Sequence, residues 1–259
     1  MPTEAGIWTE SFRVRAYETN LHGCASIQTL CNFFQAAAGN HARTYGVSIE
    51  NLNAQGLTWV LSRLHLQMDA YPVWGDEVMV ETWPSGLQGL LAIREFYFHG
   101  AAQENGDRPV IGRGASAWIV VDVKRKRPVR FPAFIRDVKR PERPRPLPGA
   151  FARLPPLTEA DHEYPFRVLY SDLDINRHVN NARYAAWAVE SVPEEVLYTC
   201  RLREIELQFR AETTFGDTVV VQTQNGQQDE ARSFVHRLTR QTDGRDVALA
   251  RTRWVRMDG

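Results

Sequence analysis

The sequence has few cysteines, no excess of either charge and no long apolar run. Its three cysteines, Cys24, Cys31 and Cys200, form no CxxC pair, which argues against a disulfide framework or a structural zinc site. Basic and acidic residues number 31 each, so no overall field attracts nucleic acid or a membrane surface. No run of about 18 apolar residues occurs, and the acidic start MPTEAGIWTESF lacks an apolar signal segment. We therefore predict a cytoplasmic protein without membrane insertion or a nucleic-acid partner.

Several common enzyme motifs are also missing. There is no HExxH for a zinc hydrolase and no GxSxG for a serine hydrolase. GRGASA at 112–117 fits a loose dinucleotide pattern, but it leads into the strand-like run WIVVDV instead of a helix, so the phosphate-binding geometry is lost. These absences exclude the usual serine, zinc and nucleotide-dependent chemistries, and we expect no cofactor.

Proline is concentrated in one segment. Eight of the 14 prolines lie between Pro128 and Pro156, a composition that favours extended, non-helical chain. We predict a linker over 132–162, between an N-terminal domain over 1–131 and a C-terminal domain over 163–259. With 43% hydrophobic residues, each part can form its own core.

The two flanking parts resemble each other. LHLQMDAYPVWGDEVMVET at 64–82 matches IELQFRAETTFGDTVVVQT at 205–223 at an offset of 141. Upstream, FRVRAYE from Phe12 aligns with PFRVLYS from Pro165 at an offset of 153, which places Phe34 on Trp187. A repeat of about 120 residues is too long for a solenoid unit, so each copy should be a small domain.

The order of elements within each copy indicates the fold. Apolar residues from Ile27 to Ala38 recur at helical spacing, and a second stripe from Ala185 to Val192 ends before Pro193. Four strand patterns follow each helix, separated by turn signals. One helix wrapped by a long antiparallel sheet is the hotdog arrangement, so the chain is predicted to be an α+β double hotdog.

The stretch SDLDINRHVNNARYAAW at 171–187 is dense in polar residues. Asp172, Asp174 and Asn176 match the first EF-hand positions, but Arg177 replaces the required glycine and Arg183 the required glutamate, so no metal is expected. Helix capping by Asn180 or Asn181 explains part of the cluster. It does not explain a histidine, an acid and an amide at two-residue spacing.

The first copy provides an internal comparison. By the offset of 153 it carries Leu21, Gly23 and Ala25 where the second copy carries Asp174, Asn176 and His178. The fold is therefore expected to build this corner without the polar set, which favours a chemical role for these residues. A helix start offers amide donors to a developing oxyanion, and a histidine can transfer protons near neutral pH. These groups suit attack on an activated acyl group.

The same stretch resembles a family signature. DLDINRHVNNARYAAW is similar to the DxNxHVNNxxYxxW signature of plant plastid-type and bacterial acyl-ACP thioesterases, where ACP is acyl carrier protein. FRVRAYETN, FFQAAAGNHARTYG and GLTWVLSR in the first half resemble that family's N-terminal hotdog. The resemblance implies hydrolysis of acyl-ACP to free fatty acid in the C-terminal hotdog, with the acyl chain held largely by the N-terminal one.

The family's catalytic residues transfer onto Asp174, Asn176, His178 and Glu212. The cysteine that follows the acid in plant members is Thr213 here, which leaves water as the nucleophile. We expect Glu212, helped by His178, to activate water, while Asp174 fixes the geometry of Asn176 or His178. Four further residues are predicted to contact the substrate or its carrier. The helix-start amides of Val179 and Asn180 assist Asn176 in holding the thioester oxygen. Arg177 is a docking cation for the carrier, and Trp59 contacts the acyl chain.

Other roles also fit these residues. Arg183 and the run KRKRPVR at 124–130 also suit carrier docking or a solvated surface, and Trp59 suits ordinary core. An acyl-CoA thioesterase or a non-catalytic acyl-binding module would use the same features. A homodimer, the preferred acyl length and the degree of saturation are left open.

Overall fold

The computed structural model describes residues 2–4, 6–226 and 232–257, and the chain divides into two units. Unit 1 contains Met1–Ser62 and Asp69–Ala150, and unit 2 contains Arg63–Met68 and Phe151–Gly259. The first unit thus extends beyond the predicted boundary at 131, because the proline-rich segment packs on it. No helix in the described ranges has the length and apolarity required to span a bilayer.

Unit 1 is built on one long helix and an antiparallel sheet. Helix α1 begins after Ser26, whose hydroxyl accepts a hydrogen bond from the Thr29 amide at 3.1 Å. The predicted apolar stripe of α1 is buried against the sheet, whose strand order is β1-β2-β4-β5-β6-β3, with β7 paired to β6. The elements are β1 Pro2–Glu4, β2 Ile7–Arg13, α1 Ile27–Thr44, α2 Ile49–Asn53, β3 Leu57–Met68, β4 Glu77–Gln88, β5 Leu91–His99, β6 Val110–Asp122, β7 Arg127–Pro128 and α3 Ala133–Arg136.

Unit 2 repeats this plan. Residues Arg63–Met68 of β3 belong to this unit and pair with β9, and its strand order is β3-β9-β12-β11-β10-β8, all antiparallel. The first helix ends at Glu190, before Pro193 as predicted, and Pro193 is the N-cap of a short second helix that the periodicity did not indicate. The elements are β8 His162–Arg167, α4 Asn181–Glu190, α5 Glu194–Thr199, β9 Cys200–Phe209, β10 Thr218–Asn225, β11 Arg232–Arg240 and β12 Asp246–Arg256.

Hydrogen bonds fix the repeat register at the loop before each helix. The Asn20 amide donates to the Cys24 carbonyl at 2.7 Å, and the Asp174 amide donates to the His178 carbonyl at 2.8 Å. In both loops the side-chain oxygen of the first residue accepts from the amides two and four positions later. The offset here is therefore 154, and the predicted 153 was wrong by one residue.

With an offset of 154, different residues of the two copies correspond. Asn20, His22 and Cys24, and not Leu21, Gly23 and Ala25, occupy the places of Asp174, Asn176 and His178. The counterpart of Trp187 is likewise Phe33 instead of Phe34, since Phe33 stacks on Phe12 as Trp187 stacks on Phe166. Short segments of low identity cannot establish register, whereas paired backbone bonds can.

The proline-rich segment is ordered against unit 1. Its start forms α3, contrary to the predicted extended chain, because Ile135 is buried with Phe131 in a small apolar cluster. Further along, Arg143 pairs with Glu81, and the Arg145 guanidinium donates to the Glu95 carboxylate at 2.6 Å. This segment is therefore part of the unit and not a free tether.

Candidate active site

The loop between β8 and α4 is held in shape by Asp174. One carboxylate oxygen accepts from the amides of Asn176, at 2.8 Å, and His178, at 3.3 Å. The other oxygen accepts from the Asn176 side-chain amide at 3.4 Å. Arg177 lies at the tip with a φ of 65°, the left-handed conformation that lets the loop turn back on itself. Asp174 thus sets the positions of both predicted partners.

A second segment supplies the acid. Glu212 lies between β9 and β10, and its Oε2 is 3.2 Å from Nε2 of His178. The two side chains are 51% and 40% exposed, so water can reach both. Arg240 donates to the Glu212 carbonyl at 3.1 Å, which fixes the backbone of the acid. The structure therefore brings together the four residues predicted to be catalytic, all within unit 2.

Backbone amides before α4 do not have the role predicted for them. The Val179 amide donates to the Thr213 carbonyl at 3.0 Å, and the Asn180 amide donates to the Asp172 carbonyl at 2.8 Å. Both donors are used inside the protein, so neither is available to a thioester oxygen. Asn180 instead caps α4, its side chain accepting from the Ala182 amide at 3.0 Å. The side-chain amide of Asn176 is left as the donor at the exposed loop.

The cations and the tryptophan considered from the sequence differ in their access to a substrate or carrier. Arg177 is exposed on the active-site loop, whereas the Arg183 guanidinium lies 2.9 Å from the buried Asp172 carboxylate and is not available for docking. Trp59 lies in unit 1, where its indole N–H donates to the Val47 carbonyl at 2.8 Å beside the cluster around Leu52. These contacts make Trp59 a structural residue of that cluster.

One group of side chains has metal-ligand chemistry. His65, Glu204 and Glu206 lie on adjacent strands of unit 2, with potential ligand atoms within 4.8 Å of one another. Arg251 pairs with both glutamates and Arg253 pairs with Glu204, so two guanidinium groups already balance the two carboxylates. Burial alone raises the pKa of Glu204, but hydrogen bonds from His65 and Gln67 and the charges of His65 and Arg251 lower it to about 2. The group is an ion-pair network and needs no cation.

A buried histidine and serine form a network that sequence patterns did not reveal. His236 Nδ1 lies 2.9 Å from the Thr223 hydroxyl and 3.2 Å from the Ser191 hydroxyl. Its Nε2 lies 2.9 Å from the Thr252 hydroxyl. All four side chains are fully buried, so this arrangement satisfies polar groups in the core and does not form a serine-hydrolase pair.

Family models match both halves of the chain. The acyl-ACP thioesterase N-terminal domain matches residues 6–138, and the C-terminal domain matches residues 156–256. The chain belongs to the acyl-ACP thioesterase family. It is a double hotdog enzyme that hydrolyses fatty acyl-ACP thioesters.

Individual relatives of this thioesterase agree with the assignment. It is 30% identical to the chloroplastic oleoyl-ACP thioesterase of Coriandrum sativum, over 97% of this chain and 78% of that one. It is also 30% identical to the chloroplastic palmitoyl-ACP thioesterase of Gossypium hirsutum, over 96% of this chain and 63% of that one.

Solved structures give the same result. The acyl-ACP thioesterase of Bacteroides thetaiotaomicron superposes with a TM-score of 0.80 at 25% identity, covering 96% of this chain and 97% of that one. The 12:0-ACP thioesterase of Umbellularia californica superposes with a TM-score of 0.82 at 25% identity, covering 97% and 94%.

Proposed function

We propose that this thioesterase cleaves acyl-ACP by direct attack of water, with Glu212 and His178 as the catalytic base. The observation that carries the proposal is the 3.2 Å contact between the two side chains, which come from different segments and are open to solvent. A carboxylate paired with an imidazole can remove a proton from water and pass it on. Thr213 is fully buried, so the residue after the acid has no access to a substrate.

The steps balance without another reactant. Glu212 takes a proton from water while the water oxygen bonds to the thioester carbon. The Asn176 side-chain amide donates a hydrogen bond to the developing oxyanion. Glu212 passes this proton to His178 across their 3.2 Å contact, and His178 delivers it to the leaving thiolate as the carbon–sulfur bond breaks. The products are a free fatty acid and the carrier with a free thiol. Asp174 contributes by fixing Asn176 and the His178 backbone.

We further propose that the carrier is acidic ACP approached through Arg177. This arginine is exposed at the tip of the catalytic loop, next to Asn176 and His178. Steering by a rim cation changes encounter with a charged partner more than it changes chemistry. The cytoplasmic location and the homodimer remain predictions from the sequence.

The proposal is tested by thiol release from acyl-ACP and acyl-CoA of equal acyl length. Wild type should prefer acyl-ACP, and Glu212→Gln should lower kcat by about a hundredfold because the base is lost while the shape is kept. Arg177→Ala should raise KM for acyl-ACP and leave KM for acyl-CoA unchanged. Equal use of both donors would contradict the proposed selection of the carrier through Arg177. Tight acyl binding without thiol release would make it a binding module.

A further inference from the structure

Two buried hydroxyl groups contact each other at the residue that follows the candidate base Glu212. Thr213 Oγ1 lies 2.6 Å from the Tyr184 hydroxyl, and both residues are buried. Tyr184 belongs to α4, and Thr213 follows Glu212 in the chain. The bond therefore joins the helix that follows His178 to the segment that carries the acid.

The same threonine is also connected through its backbone. Its carbonyl accepts from the Val179 amide at 3.0 Å, and Val179 directly follows His178. Thr214 is fixed in turn, since its amide donates to the Asp217 carboxylate at 2.8 Å. The backbone on either side of Thr213 is thus held, and the hydroxyl bond fixes its side chain.

Unit 1 shows what this corner needs for folding alone. There the Ala25 amide donates to the Pro72 carbonyl at 2.8 Å, the counterpart of the bond from Val179 to Thr213. By the offset of 154, Leu30 stands where unit 2 has Tyr184. By the offset of 141, Pro72 and Tyr71 stand where unit 2 has Thr213 and Glu212. The fold therefore builds the corner without a hydroxyl pair. The pair is present where the catalytic acid is present.

We propose that Thr213 and Tyr184 are positioning residues that hold the Glu212 carboxylate against His178. This inference rests on the proposed function of Glu212. Displacement of a catalytic group by about 1 Å can lower the rate by about a hundredfold, so one buried hydrogen bond next to the base can matter for turnover. Burial raises the pKa of Tyr184 to about 12, which keeps its hydroxyl protonated while the enzyme works.

The test compares Thr213→Val, Thr213→Ser and Tyr184→Phe in the full-length protein with acyl-ACP as substrate. Valine keeps the shape and removes the hydroxyl, so kcat should fall about tenfold with KM unchanged. Serine restores the hydroxyl and should return kcat to within about threefold of wild type. Tyr184→Phe should reproduce the effect of valine, and the double variant should be no worse than either single one because both remove one bond.

A matched control lies in the same unit. Thr223 is also fully buried and bonds to the Ser191 hydroxyl at 2.7 Å, away from Glu212 in the hydroxyl network around His236. Thr223→Val should lower the melting temperature and leave kcat unchanged in the folded protein. If the kcat of Thr213→Val is no lower than that of Thr223→Val while both variants are folded, the positioning role is overturned.

The closing measurement separates this inference from the proposed function. Thr213→Val is introduced into Glu212→Gln, where it should cause no further loss because the group that it positions is absent. A further tenfold loss would show that the hydroxyl pair acts independently of Glu212 and would overturn the inference. If Glu212→Gln itself retains wild-type turnover, the proposed base is wrong, whatever the valine variant does.

Discussion

At the scale of single residues, Asp174 has two roles: it shapes the loop and it contacts the Asn176 side chain. Its counterpart in unit 1 has the first of these roles. Asn20 bends the corresponding loop with the same amide bonds, so an amide oxygen is sufficient to shape the turn. Only the second carboxylate oxygen of Asp174 reaches the Asn176 side chain. The turn and the orientation of the Asn176 amide, the proposed oxyanion donor, can therefore be tested separately.

We expect Asp174→Asn to keep the loop and weaken catalysis. The asparagine oxygen can accept from the amides of Asn176 and His178, so the melting temperature should stay within about 2 °C of wild type. Its NH₂ group would face the Asn176 amide as a second donor, and kcat should fall by about tenfold. Melting curves and thiol release measure the two effects. A large loss of stability would contradict the comparison with Asn20.

The sequence predicted the polar side chains that the structure brings together, and it did not predict which backbone amides are already bonded. Asp174, Asn176, His178 and Glu212 were predicted because their residue types match the chemistry and the family signature. The Val179 and Asn180 amides were predicted wrongly as donors, since their partners come from Thr213 and Asp172 through the folded backbone. Such pairing depends on the path of segments distant in sequence, which spacing alone does not reveal.

At the scale of elements, the proline-rich segment stabilises the sheet of unit 1. Glu95 on β5 is fully buried, and one of its oxygens accepts from Arg145 at 2.6 Å and from the Ser85 hydroxyl at 2.8 Å. Arg143 lies over the Trp83 ring, 4.4 Å from its centroid, while pairing with Glu81. The two arginines attach the segment to the acids of β4 and β5.

We expect Arg145→Met to destabilise unit 1 by about 3 kcal/mol, because it leaves the Glu95 charge buried and unpaired. Glu95→Gln in the same chain should recover more than half of that loss, since a neutral amide costs less to bury. Urea unfolding of the single and double variants measures this coupling. Additive losses would show that the two side chains do not interact.

The strands and helices were largely predictable from the sequence, but the alignment of the two repeats was not. Apolar periodicity located α1, α4 and the main strands, although α1 continues to Thr44, beyond the predicted stripe from Ile27 to Ala38. The repeat offset slipped by one residue between β8 and α4, where the copies share few identities. A slip of one position exchanged Gly23 for His22 in the internal comparison, so register determined which residues were compared.

At the scale of the whole molecule, buried histidines connect stability to pH. Burial lowers the pKa of His236 to about 3, and burial together with the charge of Arg94 lowers that of His41 to about 3. In the unfolded chain a histidine titrates near ~6.5. Between these values the unfolded state binds more protons, so folding stability falls as the pH drops below the unfolded value.

We expect each of these histidines to remove about 1.4 kcal/mol of folding stability per pH unit below pH ~6. His236→Gln should be less stable than wild type at pH 7 and should lose stability less steeply in acid. Urea unfolding between pH 7 and pH 5 measures the two slopes. Identical slopes would show that His236 accepts a proton without unfolding.

The loops that begin at Asn20 and Asp174 have the same shape, which has a consequence for how this fold can change. The same turn is present in both units, although the side chains that it displays are His22 and Cys24 in unit 1 and Asn176 and His178 in unit 2. Its framework therefore tolerates exchange of its side chains. A few point mutations could therefore change the chemistry of one copy while the backbone conformation stays the same.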